Sequence, residues 1–164
     1  MTGYLALGAN LGDRRASLAA AVLALGKVEG IEVAAQSRIY ETVPEGRAPQ
    51  PLYLNSVVRV ETSLDARRLL QACLGIERVL GRVRPADGGK SARIIDIDVL
   101  LLGDQIIDEP GLLVPHPALL RRPFVRIPLA EVACPGLRHP GNGEALDTCS
   151  PDPGVRLWSG EDVP

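Results

Sequence analysis

Ile94-Ile95-Asp96-Ile97-Asp98-Val99-Leu100-Leu101-Leu102 is an apolar run of strand length, interrupted only by two carboxylates. Side chains alternate faces along a strand, so Asp96 and Asp98 point one way while Ile95, Ile97 and Val99 point into a core. Working back, residues 82–92 form a polar loop holding Pro85, Gly88 and Gly89. Before it, Leu69, Cys73, Ile76 and Leu80 recur at helical spacing, a helix begun at Ser63 or Asp65 and ended by Gly81. Residues 53–61 alternate as a strand, residues 41–51 form a proline- and glycine-containing loop, and residues 31–40 form another strand. Leu18, Val22 and Leu25 mark a first helix, capped by Asn10 or Asp13 and closed at Gly26, after a short buried strand over residues 4–8. The order is βαββαβ. It predicts an α+β fold of the ferredoxin-like, split-βαβ type, with helices packed on one face of a mainly antiparallel sheet.

Working forward, the character changes at Pro110. Ten of the fourteen prolines lie from there on, so regular structure is expected to be sparse, with short helical pieces at 119–122 and 127–132. One domain is expected over residues 1–134. An irregular C-terminal tail, 135–164, is expected to pack on it or trail from it.

Composition narrows the function. Aromatic residues make up 3% of the chain and the formal net charge is −2, which argues against a stacking platform or a basic field for nucleic acid. No apolar stretch approaches the ~20 residues of a membrane span. Cys73, Cys134 and Cys149 are an odd number without metal-ligand spacing, which fits a reducing cytoplasm. Small-molecule substrates and a monomeric chain are expected.

The candidate chemistry starts at the carboxylate strand. The α-carbons of Asp96 and Asp98 are expected roughly 6.6 Å apart at a strand rise of about 3.3 Å per residue. Carboxylates about 5 Å apart repel by ~3 kcal/mol at an effective dielectric near 20. Solvent, an arginine, a raised pKa or a divalent cation can compensate, and Mg²⁺ suits one or two carboxylates supplemented by phosphates and water. Arg82, Arg84 and Arg93 lie close in sequence, either as plain ion-pair partners or as a grip on a polyphosphate. Glu77 sits about 70° off the centre of its helix's apolar stripe, from about 100° of turn per residue, either facing the same site or solvated on the helix flank. Pro115-His116-Pro117 holds one imidazole on a rigid backbone, available to bond a phosphate oxygen or move a proton. Tyr53 and Asn55 share a strand face and, with Phe124, could take a flat heterocycle bearing an amide-like edge.

Taken in order, residues 6–14 (Ala-Leu-Gly-Ala-Asn-Leu-Gly-Asp-Arg), Tyr40-Glu41-Thr42, Tyr53-Leu54-Asn55, Ile76-Glu77, Arg84, Arg93-Ile94-Ile95-Asp96-Ile97-Asp98 and Val114-Pro115-His116-Pro117 resemble the 6-hydroxymethyl-7,8-dihydropterin pyrophosphokinases of folate biosynthesis. The resemblance runs over about residues 4–133. It implies transfer of diphosphate from ATP to the pterin hydroxymethyl group with release of AMP. It also implies two Mg²⁺ ions on Asp96 and Asp98, and Arg82 and Arg93 serving the phosphates and the chemical step. Glu77, Arg84, His116 and Arg122 would line the ATP site, and Thr42, Val43, Tyr53, Asn55 and Phe124 the pterin pocket. One departure stands out: Lys90-Ser91-Ala92 occupy positions where the family often carries Trp-Gly-Pro, so a lid over residues 84–92 is expected either to close more weakly or to use Lys90 as a charged contact. Two rival readings are a non-catalytic ligand-binding domain on the same fold and a metal-dependent nucleotidyltransferase or nuclease.

Overall fold

A computed structural model describes residues 1–44, 50–83 and 92–160. Its elements run β1 (Thr2–Ala9), α1 (Arg14–Leu25), β2 (Ile31–Gln36), β3 (Tyr40–Thr42), β4 (Tyr53–Thr62), α2 (Ala66–Val79), β5 (Asp96–Leu102), β6 (Ile107–Glu109), β7 (Leu112–Val114), α3 (Pro123–Val132) and β8 (Val155–Leu157). The main sheet has the order β5-β1-β4-β3-β8, with β2 also pairing β4, and every pairing in it is antiparallel. The alternation of strands with α1 and α2 and the antiparallel sheet agree with the sequence expectation, with three strands instead of two between the helices.

Local chemistry sets the helix limits. Asp13, rather than Asn10, caps α1, its carboxylate accepting from the Ala16 N–H at 2.9 Å, and Asp65 caps α2 by accepting from Arg68 N–H at 2.8 Å. Gly81 follows α2 at φ 90°, a conformation that favours glycine.

Two cores lie on opposite faces of the sheet. Leu5, Leu7, Leu54, Val58 and Ile97 pack with Leu18 and Leu25 of α1 and with Leu69, Cys73 and Ile76 of α2. On the other face Tyr4, Val57, Leu100 and Leu101 pack with Val125, Leu129 and Val132 of α3. The expectation that the helices of the βαββαβ core share one face holds for α1 and α2, and α3, which follows that core, packs on the other face. Its ten residues include Pro123 at the first helical position, where the missing N–H costs nothing, and Pro128 within. Those prolines hid the helix's full length from the sequence pattern.

The expected single strand over 31–40 is two strands on the same partner, because the ladder to β4 is interrupted at residues 37–39, where the Ser37 hydroxyl accepts from Val57 N–H at 2.9 Å. The tail is more regular than expected. Leu146 is fully buried in the α3-side core, and β8 pairs with β3 at the edge of the main sheet. The three residues of β8 are too few to show an alternation, and their partner strand is more than a hundred residues away.

Candidate active site

The α3 face of the sheet is open at one end. Asp96 and Asp98 on β5 pair with Gly8 and Ala6 on β1, and Gly8 pairs in turn with Asn55 on β4. The two smallest side chains thus sit in the middle of the floor, flanked by carboxylates on one side and an amide on the other. A Cβ at Gly8 would lie 3.5 Å from Asn55 Oδ1 and 3.8 Å from the Tyr53 ring. The result is a cleft of about 380 Å³ running from the charged wall to the aromatic one.

The charged wall is organised around Asp96. Arg82 Nη1 donates to its Oδ1 and Arg93 Nη1 to its Oδ2. Arg82 Nη1 also donates to Glu77 Oε1 at 2.5 Å, and the same oxygen accepts from Ile97 N–H at 2.8 Å. Asp98 differs: its side chain is 41% exposed, and desolvation, reinforced by the Asp96 charge, pushes its carboxyl up to about 6. His116 Nε2 stands 3.9 Å from Asp98 Oδ2. Burial lowers the imidazole's pKa, with Arg122's charge acting the same way, so it is neutral at pH 7. Its Nδ1 accepts from Ala118 N–H at 3.1 Å, which leaves the proton on Nε2, facing the cleft. The loop carrying it is tied to β5 by His116 N–H donating to Leu100 O at 2.9 Å.

The opposite wall is aromatic and amide. Tyr53, Asn55 and Thr42 lie on one sheet face, with Asn55 Nδ2 donating to Thr42 Oγ1 at 2.8 Å. Phe124, in the first turn of α3, faces the cleft beneath the Arg122 guanidinium, which lies 5.5 Å from the ring centroid. Val43 is exposed at the mouth.

Among the site residues read from sequence, Arg82, Arg93, Asp96, Asp98, His116, Arg122, Thr42, Val43, Tyr53, Asn55 and Phe124 all line this one cleft. Glu77 does not line it. At 1% exposure it lies behind the wall, buttressing Arg82 and β5. Arg84 and Lys90, with the expected lid, fall outside the described residues. Asn10, read only as a possible helix cap, is a buried junction: its Oδ1 accepts from Arg93 N–H at 2.7 Å, its own N–H donates to Arg93 O at 3.0 Å, and its Nδ2 donates to Gln50 Oε1 and Pro51 O, both at 3.3 Å. It thereby holds the segments bearing Arg93 and Gln50, both of which line the cleft. A polar residue directly after a buried strand was the signal available for it.

Two carboxylates on one strand face are donors that a hard divalent cation takes. Among the described residues no group of three or more His, Cys, Asp or Glu could hold a metal by itself. The donor set therefore fits an ion that completes its shell from phosphate oxygens and water, and not an all-protein cage.

A cleft with arginines around a carboxylate at one end and aromatic side chains at the other has the chemistry to take phosphate groups beside a flat ring, as a phosphate-handling transferase requires. The particular family follows from comparison: the chain belongs to the 7,8-dihydro-6-hydroxymethylpterin-pyrophosphokinase (HPPK) family, whose pattern matches residues 4–134. It is an ATP-dependent diphosphotransferase. A 2-amino-4-hydroxy-6-hydroxymethyldihydropteridine pyrophosphokinase of Methylorubrum extorquens is 47% identical over 131 residues, covering 79% of this chain and 81% of its own length. One from Bacillus subtilis is 39% identical over 155 residues, covering 94% and 89%. The folic acid synthesis protein fol1 of Schizosaccharomyces pombe is 39% identical over 163 residues, but this chain spans only 22% of its length. A solved HPPK-DHPS structure in complex with substrates matches with a TM-score of 0.70 at 14% identity over 89% of this chain and 42% of that one, a likeness of fold alone. No helix among the described residues is long and apolar enough to cross a membrane.

Proposed function

We propose that the chain transfers diphosphate from ATP to the hydroxymethyl oxygen of 6-hydroxymethyl-7,8-dihydropterin, releasing AMP, with two Mg²⁺ ions on Asp96 and Asp98. The observation that carries the reading is that the carboxylate pair and the aromatic slot share one sheet face, separated only by Gly8 and Ala6 of β1. A phosphate chain on one wall and a flat ring on the other then meet above the two smallest side chains of the floor.

Diphosphoryl transfer asks for alignment and charge neutralisation more than for covalent help from protein. Tyr53 and Phe124 would hold the ring between them, and Asn55, fixed by Thr42, would bond its amide-like edge. That orients the hydroxymethyl oxygen toward the β-phosphorus. Arg82 and Arg93 supply donor forks to the phosphoryl oxygens, held in place by Glu77 and Asn10 respectively. The neutral His116 donates through Nε2–H to a phosphate oxygen, and Arg122 adds charge beside it. Arg84 is assigned to the nucleotide on the resemblance alone. Bound on Asp96 and Asp98, Mg²⁺ would draw charge from the phosphoryl oxygens. The cytoplasm is the expected location, since all three cysteines are free thiols.

AMP formation tests this. AMP is expected to appear only when ATP, Mg²⁺ and hydroxymethyldihydropterin are all present. Pterin binding without AMP would favour a non-catalytic domain, and release of pyrophosphate in place of AMP a nucleotidyltransferase.

A further inference from the structure

We infer that β8, in the C-terminal segment beyond the family match at residues 4–134, is a positioning element for the ring-binding end of the cleft. The inference rests on the reading of that end as a pterin slot. β3 is only three residues long, yet it carries Thr42, the partner of Asn55, and leads directly into Val43 and Pro44 of the cleft wall. On one side Thr42 pairs with Tyr53 of β4, and on the other with Val155 of β8. Without β8, β3 would be a short edge strand, and short edge strands fray readily.

The tail is built to stay in place. Asp152 closes a turn before β8, its carboxylate accepting from Gly154 N–H at 2.8 Å and its carbonyl from Val155 N–H at 3.0 Å. After β8, Trp158 N–H donates to Ile39 O at 3.0 Å, and the indole packs on the α1–α2 core with the Arg15 guanidinium 5.9 Å from its centroid. The strand is thus pinned at both ends, and β3 is held along its whole length. Alternate N–H groups of an antiparallel strand face the same neighbour, so the Arg156 N–H points to β3 as the Trp158 N–H does.

Arg156→Pro removes that donor, while Arg156→Ala keeps it. In Arg156→Pro the KM for hydroxymethyldihydropterin is expected to rise about tenfold, with kcat and the ATP KM within about twofold of the parent. Amide exchange at Tyr40, Glu41 and Thr42 should accelerate while β1 and β5 stay protected. Arg156→Ala should match the parent in all of these. Should Arg156→Pro fail to fold, Trp158→Ala, which loosens the anchor without touching the ladder, should move the same two readouts in the same direction. Unchanged pterin KM in a variant whose β3 exchange has accelerated would overturn the inference and leave the proposed function standing. An equal KM rise in Arg156→Ala would overturn it too, by placing the effect in the side chain. A parent that forms no AMP with the pterin overturns the proposed function and, with it, the positioning role.

Discussion

Removing the Glu77 carboxylate should destabilise the fold out of proportion to the atoms lost. Oε1 takes two donors at once, Ile97 N–H at 2.8 Å and Arg82 Nη1 at 2.5 Å, in a residue only 1% exposed. In Glu77→Ala the Ile97 N–H is left buried without this acceptor, a cost of about 1–3 kcal/mol. Breaking a buried ion pair from one side costs about 3–5 kcal/mol, but Arg82 keeps Asp96, so only the lower part of that range applies. Because the two effects share one oxygen they do not simply add, and a total of about 3–4 kcal/mol is expected. For a chain of this size that lowers Tm by roughly 6–16 °C, at about 2–4 °C per kcal/mol. Glu77→Gln retains an acceptor for Ile97 and loses only the charge toward Arg82, so about 1–2 kcal/mol is expected. Thermal and guanidinium unfolding followed by circular dichroism reads both variants. A Glu77→Ala protein within about 1 kcal/mol of the parent, or one no less stable than Glu77→Gln, would refute the reasoning that this carboxylate supports β5 and Arg82 from behind.

Further outcomes can be checked directly. Asp96→Ala and Asp98→Ala should abolish pterin-dependent AMP release with the fold retained, measured by AMP formation and circular dichroism; full activity in either would remove the proposed metal site. Asp98 has its carboxyl raised from the usual carboxylate range to about 6, so its contribution to stability is present below about pH 4 and lost as pH rises through 6. Asp98→Asn should therefore unfold at pH 7.5 no earlier than the parent, and the Tm rise produced by Mg²⁺ with a non-hydrolysable ATP analogue should shrink as pH falls below 6. Burial pushes the Cys73 thiol up to about 12, while Cys149 is exposed. A thiol reagent at pH 8 should label Cys149 in the native protein and reach Cys73 only on unfolding.

The parts legible in the sequence were those with a period. Leu69, Cys73 and Ile76 at helical spacing, and Ile95, Ile97 and Val99 alternating with Asp96 and Asp98, report a repeating environment along one element. That was enough for the βαββαβ core and for the direction in which the carboxylates point. What stayed hidden were features whose cause lies far away along the chain. Glu77 is a polar residue on a helix flank until β5 is laid beside it, and only then does the Ile97 N–H explain its burial. Asn10 could be taken for a cap because its partners, Arg93, Gln50 and Pro51, are contributed by two other segments. Likewise β8 is three residues that mean nothing without β3. Clustering of the site residues was visible only through the motif order, since no spacing rule brings Thr42, Tyr53, Asp98 and Phe124 to one cleft.

The arginines on Asp96 bear on whether the cleft can accept a nucleotide at all, because a carboxylate fully engaged by guanidinium groups is a poor ligand. Their placement resolves the difficulty. Among the described residues the charged wall and the Glu77 behind it set three carboxylates, Glu77, Asp96 and Asp98, against Arg82, Arg93 and Arg122, a formal balance. A triphosphate accompanied by two divalent cations brings anion and cation together. In the proposed reaction the carboxylates of Asp96 and Asp98 would hold the cations and the guanidinium groups of Arg82 and Arg93 would hold the phosphoryl oxygens. Asp96, Arg82 and Arg93 would then each exchange one partner for another of the same sign, and little net charge would have to be buried, which is the expensive step in a desolvated site. Glu77 remains on Arg82 throughout, so the arginine's base is held while its tip changes partner. Without nucleotide, the same arginines keep Asp96 compensated and leave Asp98, the carboxylate with the raised pKa, as the one with the most to gain from a cation.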